Sequence, residues 1–139
     1  MKKITSIAAI LLASLAAVGS ASAQDHEAKA NIPFGFYVDS KWVPAGTYIL
    51  TSDAMNPDVI QIRSESSSVD VLNVGHEVDG KPGANTLVFR KYGDKYFLGE
   101  ILCSSTNMHV AFNPSKREKA ARTEQASMGT PTNIYLALK

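Results

Sequence analysis

The stretch TLVFRKYGDKYFLGEILC, Thr86 to Cys103, decides the fold. Gly93 and Asp94 sit between two runs of β-branched, aromatic and aliphatic residues, and glycine supplies the positive φ that a two-residue hairpin turn requires. With that loop, Phe89 falls opposite Leu98 and Val88 opposite Gly99. One face then carries Leu87, Phe89, Leu98 and Leu102 with Glu100 among them. The other carries Val88, Phe97, Ile101 and Cys103 with Arg90 among them. Neither face is polar, so the hairpin is expected to be covered on both sides, as in a sandwich with a helix or a small closed barrel.

Following the chain forward, NPSKREKAARTEQASMGTP (113–131) changes to helical chemistry. Ser115 and Glu118 have the spacing of a capping box, in which each side chain satisfies the other residue's amide. Glu118 also precedes Arg122 by four residues, the favourable order for a surface pair. Gly129 and Pro131 make a stop, which predicts a helix over about 115–128. Its basic residues Lys116, Arg117, Lys119 and Arg122 alternate with Glu118 and Glu124, the composition of a solvated face. NIYLALK then places Ile134, Leu136 and Leu138 on one side of a final strand over about 132–138.

Going backward from the hairpin, the pattern stays β. In VIQIRS, Ile60 and Ile62 share a side; VDVLNVG reads as another strand, and DGKPGAN as a Gly- and Pro-rich loop. Ile32, Phe34, Phe36 and Val38 alternate along a strand that Pro33 assigns to an edge or a strand start. In VPAGTYIL (43–50), Pro44, Ala45 and Gly46 match a three-residue hairpin loop before the strand TYILT. A phosphate-cradling loop needs more glycines and a helix behind it, and here a strand follows. The expected architecture is mainly β: a single antiparallel β-sandwich or small β-barrel of about seven strands with one late surface helix.

The first residues read as an export signal. Lys2 and Lys3 precede an apolar stretch from Ile4 to Val18, and Ala21-Ser22-Ala23 offers a small-x-small cleavage site. Residues 1–23 are therefore expected to be a signal peptide, 24–30 a flexible leader, and 31–139 one β-rich domain in a periplasmic or secreted protein. The apolar stretch falls short of the roughly 20 residues of a membrane span, so stable membrane insertion after cleavage is not expected. Without Lys2 and Lys3, Lys+Arg falls from 14 to 12 against 13 acids, a formal net charge of −1. Such a chain has no long-range field to gather nucleic acid.

Chemistry-bearing residues are few. No serine lies in a G-x-S-x-G setting. Cys103 has no second cysteine to pair with, and an apolar strand face is where thiols sit buried and inert. Asp53, Asn56 and Asp58 lack the spacing and the central glycine of a calcium loop and read as turn formers. The histidines 26, 76 and 109 have no metal-motif spacing. After cleavage, however, Gln24, Asp25 and His26 would form an amine-terminal tripeptide able to bind Cu²⁺ or Ni²⁺ in a square plane. Glu100 and Arg90 stand among apolar neighbours on opposite faces of the expected hairpin, each suited to a structural ion pair; Glu100 is the one carboxylate that a raised pKa could make catalytic.

Read together, LVFRKYGDKYFLGEI, VPAGTYIL and NPSKREKAAR resemble a group of short, exported, uncharacterised bacterial proteins of the kind abundant in acidobacterial genomes. The resemblance spans nearly the whole mature chain and departs from it at Lys91, which stands between Arg90 and Tyr92. It implies export and the β fold and carries over no catalytic residue or cofactor. The sequence thus points to a non-catalytic binding or structural module for a small molecule, glycan or protein. The alternative is a carrier for a small apolar ligand, with Phe34, Phe36, Tyr48 and Phe89 lining a lumen.

Overall fold

The computed structural model describes residues 26–139. Its elements in chain order are β1 (His26–Ile32), β2 (Phe36–Val38), β3 (Lys41–Val43), β4 (Gly46–Ser52), β5 (Val59–Ser64), β6 (Asp70–Val74), β7 (His76–Glu77), β8 (Asn85–Tyr92), β9 (Lys95–Cys103), β10 (Met108–Ala111), α1 (Lys116–Ala126) and β11 (Thr132–Ala137). The fold is mainly β, with two sheets and one late helix. One sheet runs β1-β4-β5-β6 and the other β11-β8-β9-β10-β7, with the β2–β3 hairpin attached to β9. The expected strands are present, several of them cut into shorter pieces where the chain changes sheets.

Those changes correct two expectations. The run Ile32–Val38 is not one strand: β1 ends at Ile32, and β2 begins at Phe36 in the other sheet. Pro33 withholds a ladder donor at the break. Pro44-Ala45-Gly46 is likewise not a hairpin loop, because β3 pairs with β2 whereas β4 pairs with β1 and β5. Pro44 turns a corner between the sheets, and the Tyr48 hydroxyl donates to the Pro44 carbonyl at 2.6 Å to pin it. A third corner falls at Gly75, between β6 and β7, where a methyl group would collide with Val110, the Ala111 carbonyl and Phe112.

The expected flexible leader at 24–30 is also corrected for the residues described. Residues 26–30 belong to β1, which pairs with β4 from His26↔Ser52 to Ile32↔Gly46. Ala28 and Ala30 are buried, and their small side chains let β1 lie close over the core beside the long apolar ones. On its other edge β1 meets the chain's last residues: Lys29 and Lys139 exchange both backbone hydrogen bonds, at 3.1 and 2.8 Å. That exchange joins the two sheets and curls them toward a barrel.

The long hairpin contains the most consequential detail. Gly93 takes φ 62° in the predicted turn, and Phe89 pairs with Leu98 as expected, but Val88 pairs with Glu100 instead of Gly99. Gly99 is the extra residue of a β-bulge. A methyl group on it would stand 3.0 Å from Arg90 Nη1 and 3.2 Å from the Val88 carbonyl. Side-chain parity inverts beyond it. Ile101 and Cys103 therefore join Leu87, Phe89 and Leu98 in the main core, while Glu100 and Leu102 move to the face that holds Val88 and Arg90.

That second face lies under α1, which packs Ala121 against Tyr92 and Phe97. Ser115 caps the helix by accepting the Glu118 amide at 3.1 Å. The Glu118 carboxylate departs from the capping-box expectation: it points into the sheet rather than back to Ser115 or across to Arg122.

Candidate functional site

Phe34, Phe36, Tyr48 and Phe89 pack on one another. Phe36 meets Tyr48 and Phe89 edge to face at 5.6 and 5.3 Å, and Phe34 meets Phe89 at 5.1 Å. Phe34 also stacks on Tyr96 at 3.9 Å. Aromatic edges thus occupy the space that a lumen would need.

A concavity opens instead at one end of the curled sheets, between the end of β4, the start of β5, the edge strand β7 and its neighbour β10. It encloses about 220 Å³, with Ser52, Asp58, Glu77 and Asn107 as its polar wall. Pro57, Met108 and Val110 form its apolar side. Local chemistry fixes each position. Asp53 Oδ1 accepts the amides of Met55 and Asn56 at 2.8 and 2.9 Å, making the turn that leads to Asp58. The Asp58 carbonyl accepts the Gly75 amide at 2.9 Å, and Glu77 is held opposite Val110. Asp58 and Glu77 reach the cleft from different sheets, and no Lys or Arg contributes to its wall. Asp58 and Glu77 both line this small space, and carboxylates can accept hydrogen bonds from an ammonium or from hydroxyl groups.

His109 borders the cleft from β10, but its neighbours Met108 and Val110 are buried in the core, so its ring turns to the opposite face. There the backbone at Gly80 lies against the imidazole, where no larger residue fits. His109 Nε2 is buried without a hydrogen-bond partner, as is Thr106 Oγ1. His76 is exposed in β7, and His26 opens β1. The three histidines do not converge, and among the described residues no group of His, Cys, Asp or Glu could hold a metal ion.

Gln24 and Asp25 of the amine-terminal tripeptide lie outside the described residues. His26 is described and stands opposite Ser52. Because Lys29 turns its backbone groups to Lys139, the alternate residues of β1, His26 included, turn theirs to β4. Square-planar copper binding needs the His26 amide nitrogen and therefore competes with the first rung of this ladder.

Arg90 and Glu100 project to the same face, not to opposite ones, because of the bulge. Arg90's partner is nevertheless Glu118: Nε to Oε1 is 2.5 Å and Nη2 to Oε2 is 3.0 Å, a two-pronged pair. Nη2 also donates to the Phe112 carbonyl at 3.0 Å, and the Tyr92 hydroxyl donates to Glu118 Oε1 at 3.1 Å. Glu118 is 2% exposed. Desolvation pulls the Arg90 pKa down, but the hydrogen bonds to Glu118 and its charge outweigh that and leave it raised. Sequence reasoning missed this pairing, although an arginine on an apolar face needs a carboxylate from whatever covers it. Cys103 is buried, 3.2 Å from Ser105 Oγ and 3.5 Å from Asn85 Oδ1.

Burial raises the Tyr48 phenol, and burial followed by the Glu118 charge raises that of Tyr92. The folded state therefore favours both neutral phenols. Their contribution is complete below the unfolded value of about 10 and is lost as pH rises through the higher folded values. Urea midpoints are expected to stay level from pH 8 to about 10 and to fall above it. A midpoint rising through that upper range would contradict the assignment.

Among the described residues no helix is long and apolar enough to cross a membrane. Set against family models, curated proteins and solved structures, the chain matches none.

Proposed function

We propose that the protein is an exported, non-catalytic binding module whose ligand, a small molecule bearing an amine or several hydroxyl groups, enters the cleft between Asp58 and Glu77. The observation that carries this reading is the contrast between a filled interior and an acidic concavity at the end of the curled sheets. Binding sites concentrate in concave pockets with a few convergent polar groups. An aromatic core with edge-to-face contacts gives an apolar cargo no room, which weighs against the lumen carrier. The signal-like residues 1–23 and the resemblance to short exported bacterial proteins support export. The near-neutral mature charge weighs against nucleic acid as partner.

The test uses protein recovered from the periplasm of an expressing bacterium, with an intact mass beginning at Gln24. Titration with a panel of amines and polyols, followed by amide NMR, is expected to shift Ser52, Asp58, Glu77 and Val110. Glu77→Gln should weaken the best binder about tenfold, the loss of one charge-assisted hydrogen bond of 1.5 kcal/mol or so. Shifts centred on Phe36, Tyr48 and Phe89 with an apolar probe would instead establish the carrier. A turnover that disappears in Glu100→Gln would establish an enzyme. Retention of residues 1–23 would remove the export reading.

A further inference from the structure

We propose that Trp42, Tyr37 and Arg117 form a second binding site, for a carboxylated sugar, on the outer face beside the start of α1. The site shares no residue with the cleft and does not rest on it.

Trp42 in β3 stands directly opposite Tyr37 in β2. Their neighbours Phe36, Val38 and Val43 are buried, so parity turns both rings outward. Directly opposed residues hold their Cβ atoms about 4.5–5.5 Å apart, which makes the two aromatics immediate neighbours. Tyr37 is anchored: it stacks on Phe97 with centroids 5.0 Å apart and planes 20° apart. Trp42 is 58% exposed. The edge of the indole that runs from Cζ2 through Cε2 to Nε1 rests on Gly35, where a methyl group would fall 2.8 Å from Cζ2 and 3.1 Å from Nε1 and push the ring away. Gly35 thus seats the indole on backbone and leaves most of it open. Its Nε1–H donates to no acceptor among the described residues.

The β2–β3 turn carries exposed Asp39 and Lys41, and the charge held against the aromatics is a cation. The Arg117 guanidinium lies 5.2 Å from the Tyr37 ring centroid. Among the described residues the ion pairs are Lys29–Glu65, Arg90–Glu118 and Lys95–Glu124, and Arg117 is in none of them. A guanidinium held over an aromatic face, exposed and without a carboxylate, is a preformed fork for a planar anion.

Together the three groups recognise a particular chemistry. An open aromatic ring takes the polarised C–H face of a pyranose. The indole N–H meets a hydroxyl, and the Arg117 fork meets a ring carboxylate, bidentate and charge-assisted. A neutral sugar would leave Arg117 unanswered. A phosphate dianion would carry more charge than one guanidinium compensates. Trp42 stands alone as a large exposed aromatic at this corner, too little apolar surface for a stable protein interface.

The chain contains one tryptophan, so its fluorescence reports this site alone. Titration of the full mature chain with a galacturonate oligomer is expected to give a saturable shift of the emission. An uncharged galactose oligomer of equal length should bind at least tenfold more weakly. Arg117→Gln should lower galacturonate affinity at least tenfold and erase the preference for charge. Trp42→Ala, followed by calorimetry, should lose binding while melting with the parent, since the ring is exposed. Unchanged emission with galacturonate, equal affinity for the neutral oligomer, or undiminished affinity in Arg117→Gln would each overturn the proposal. Tighter binding of adenosine monophosphate would reassign the site to nucleotides and overturn it as well.

Discussion

Deletion of residues 132–139 is expected to leave a chain that does not melt cooperatively. β11 pairs with β8 from Thr132↔Lys91 to Ala137↔Thr86. Its inward side chains Ile134 and Leu136, both half-buried, and the buried Leu138 just after it pack against the core that holds Leu87 and Phe89. Full burial of such a side chain contributes about 1.5–3 kcal/mol, so these three contribute roughly 3–6 kcal/mol together. The Lys29–Lys139 exchange that joins the sheets disappears as well, and the β8 edge is left open. Against a typical stability of about 5–15 kcal/mol, that loss removes the margin. Circular dichroism and dye binding on the truncated protein decide the matter. A sharp transition within a few degrees of the parent would show that β11 is dispensable.

Glu118→Ala is expected to cost about 3 kcal/mol or more. The carboxylate is almost wholly buried and answers Arg90 with two hydrogen bonds and Tyr92 with a third. Removing one member of a buried pair strands the other charge, typically at 3–5 kcal/mol. The lower end applies here, because the Arg90 side chain keeps 22% of its exposure and can recruit water. The double variant Arg90→Met with Glu118→Leu should recover most of the loss, since apolar residues of similar volume replace such pairs at little cost. Denaturant midpoints of both variants provide the check. If the double variant is as unstable as the single one, the site needs its charges for something other than burial.

The same ion pair marks how far the sequence was legible. Hairpin, turn, helix and final strand follow from alternation and turn chemistry, which act over a few residues. Phe89↔Leu98 came out correctly because only the Gly93–Asp94 loop separates them. Beyond it, Gly99 changes the count by one, and a glycine in a strand announces a bulge without saying which side of it slips. The faces of Glu100, Ile101, Leu102 and Cys103 were therefore inverted. Corners at Pro33 and Pro44 were read as strand and hairpin because proline and glycine punctuate both in the same way. Ala28 and Ala30 passed for leader, since alanines in a polar run carry no β signal; their burial comes from a tertiary pairing with β4. The cleft was not legible at all, because Asp58 and Glu77 come to line it only where the chain passes from one sheet to the other at Gly75.

The exchange between Lys29 and Lys139 also governs how the molecule is made. It ties the first described strand to the last described residue, so this contact spans nearly the whole chain. Contacts of such sequence separation incur their loop-closure entropy before they return any stability, and folds dominated by them form slowly. A chain emerging from the ribosome can shape the β8–β9 hairpin early, but it stays open along β1 and β8 until β11 arrives. An unclosed chain with two bare strand edges is the form that aggregates if held too long.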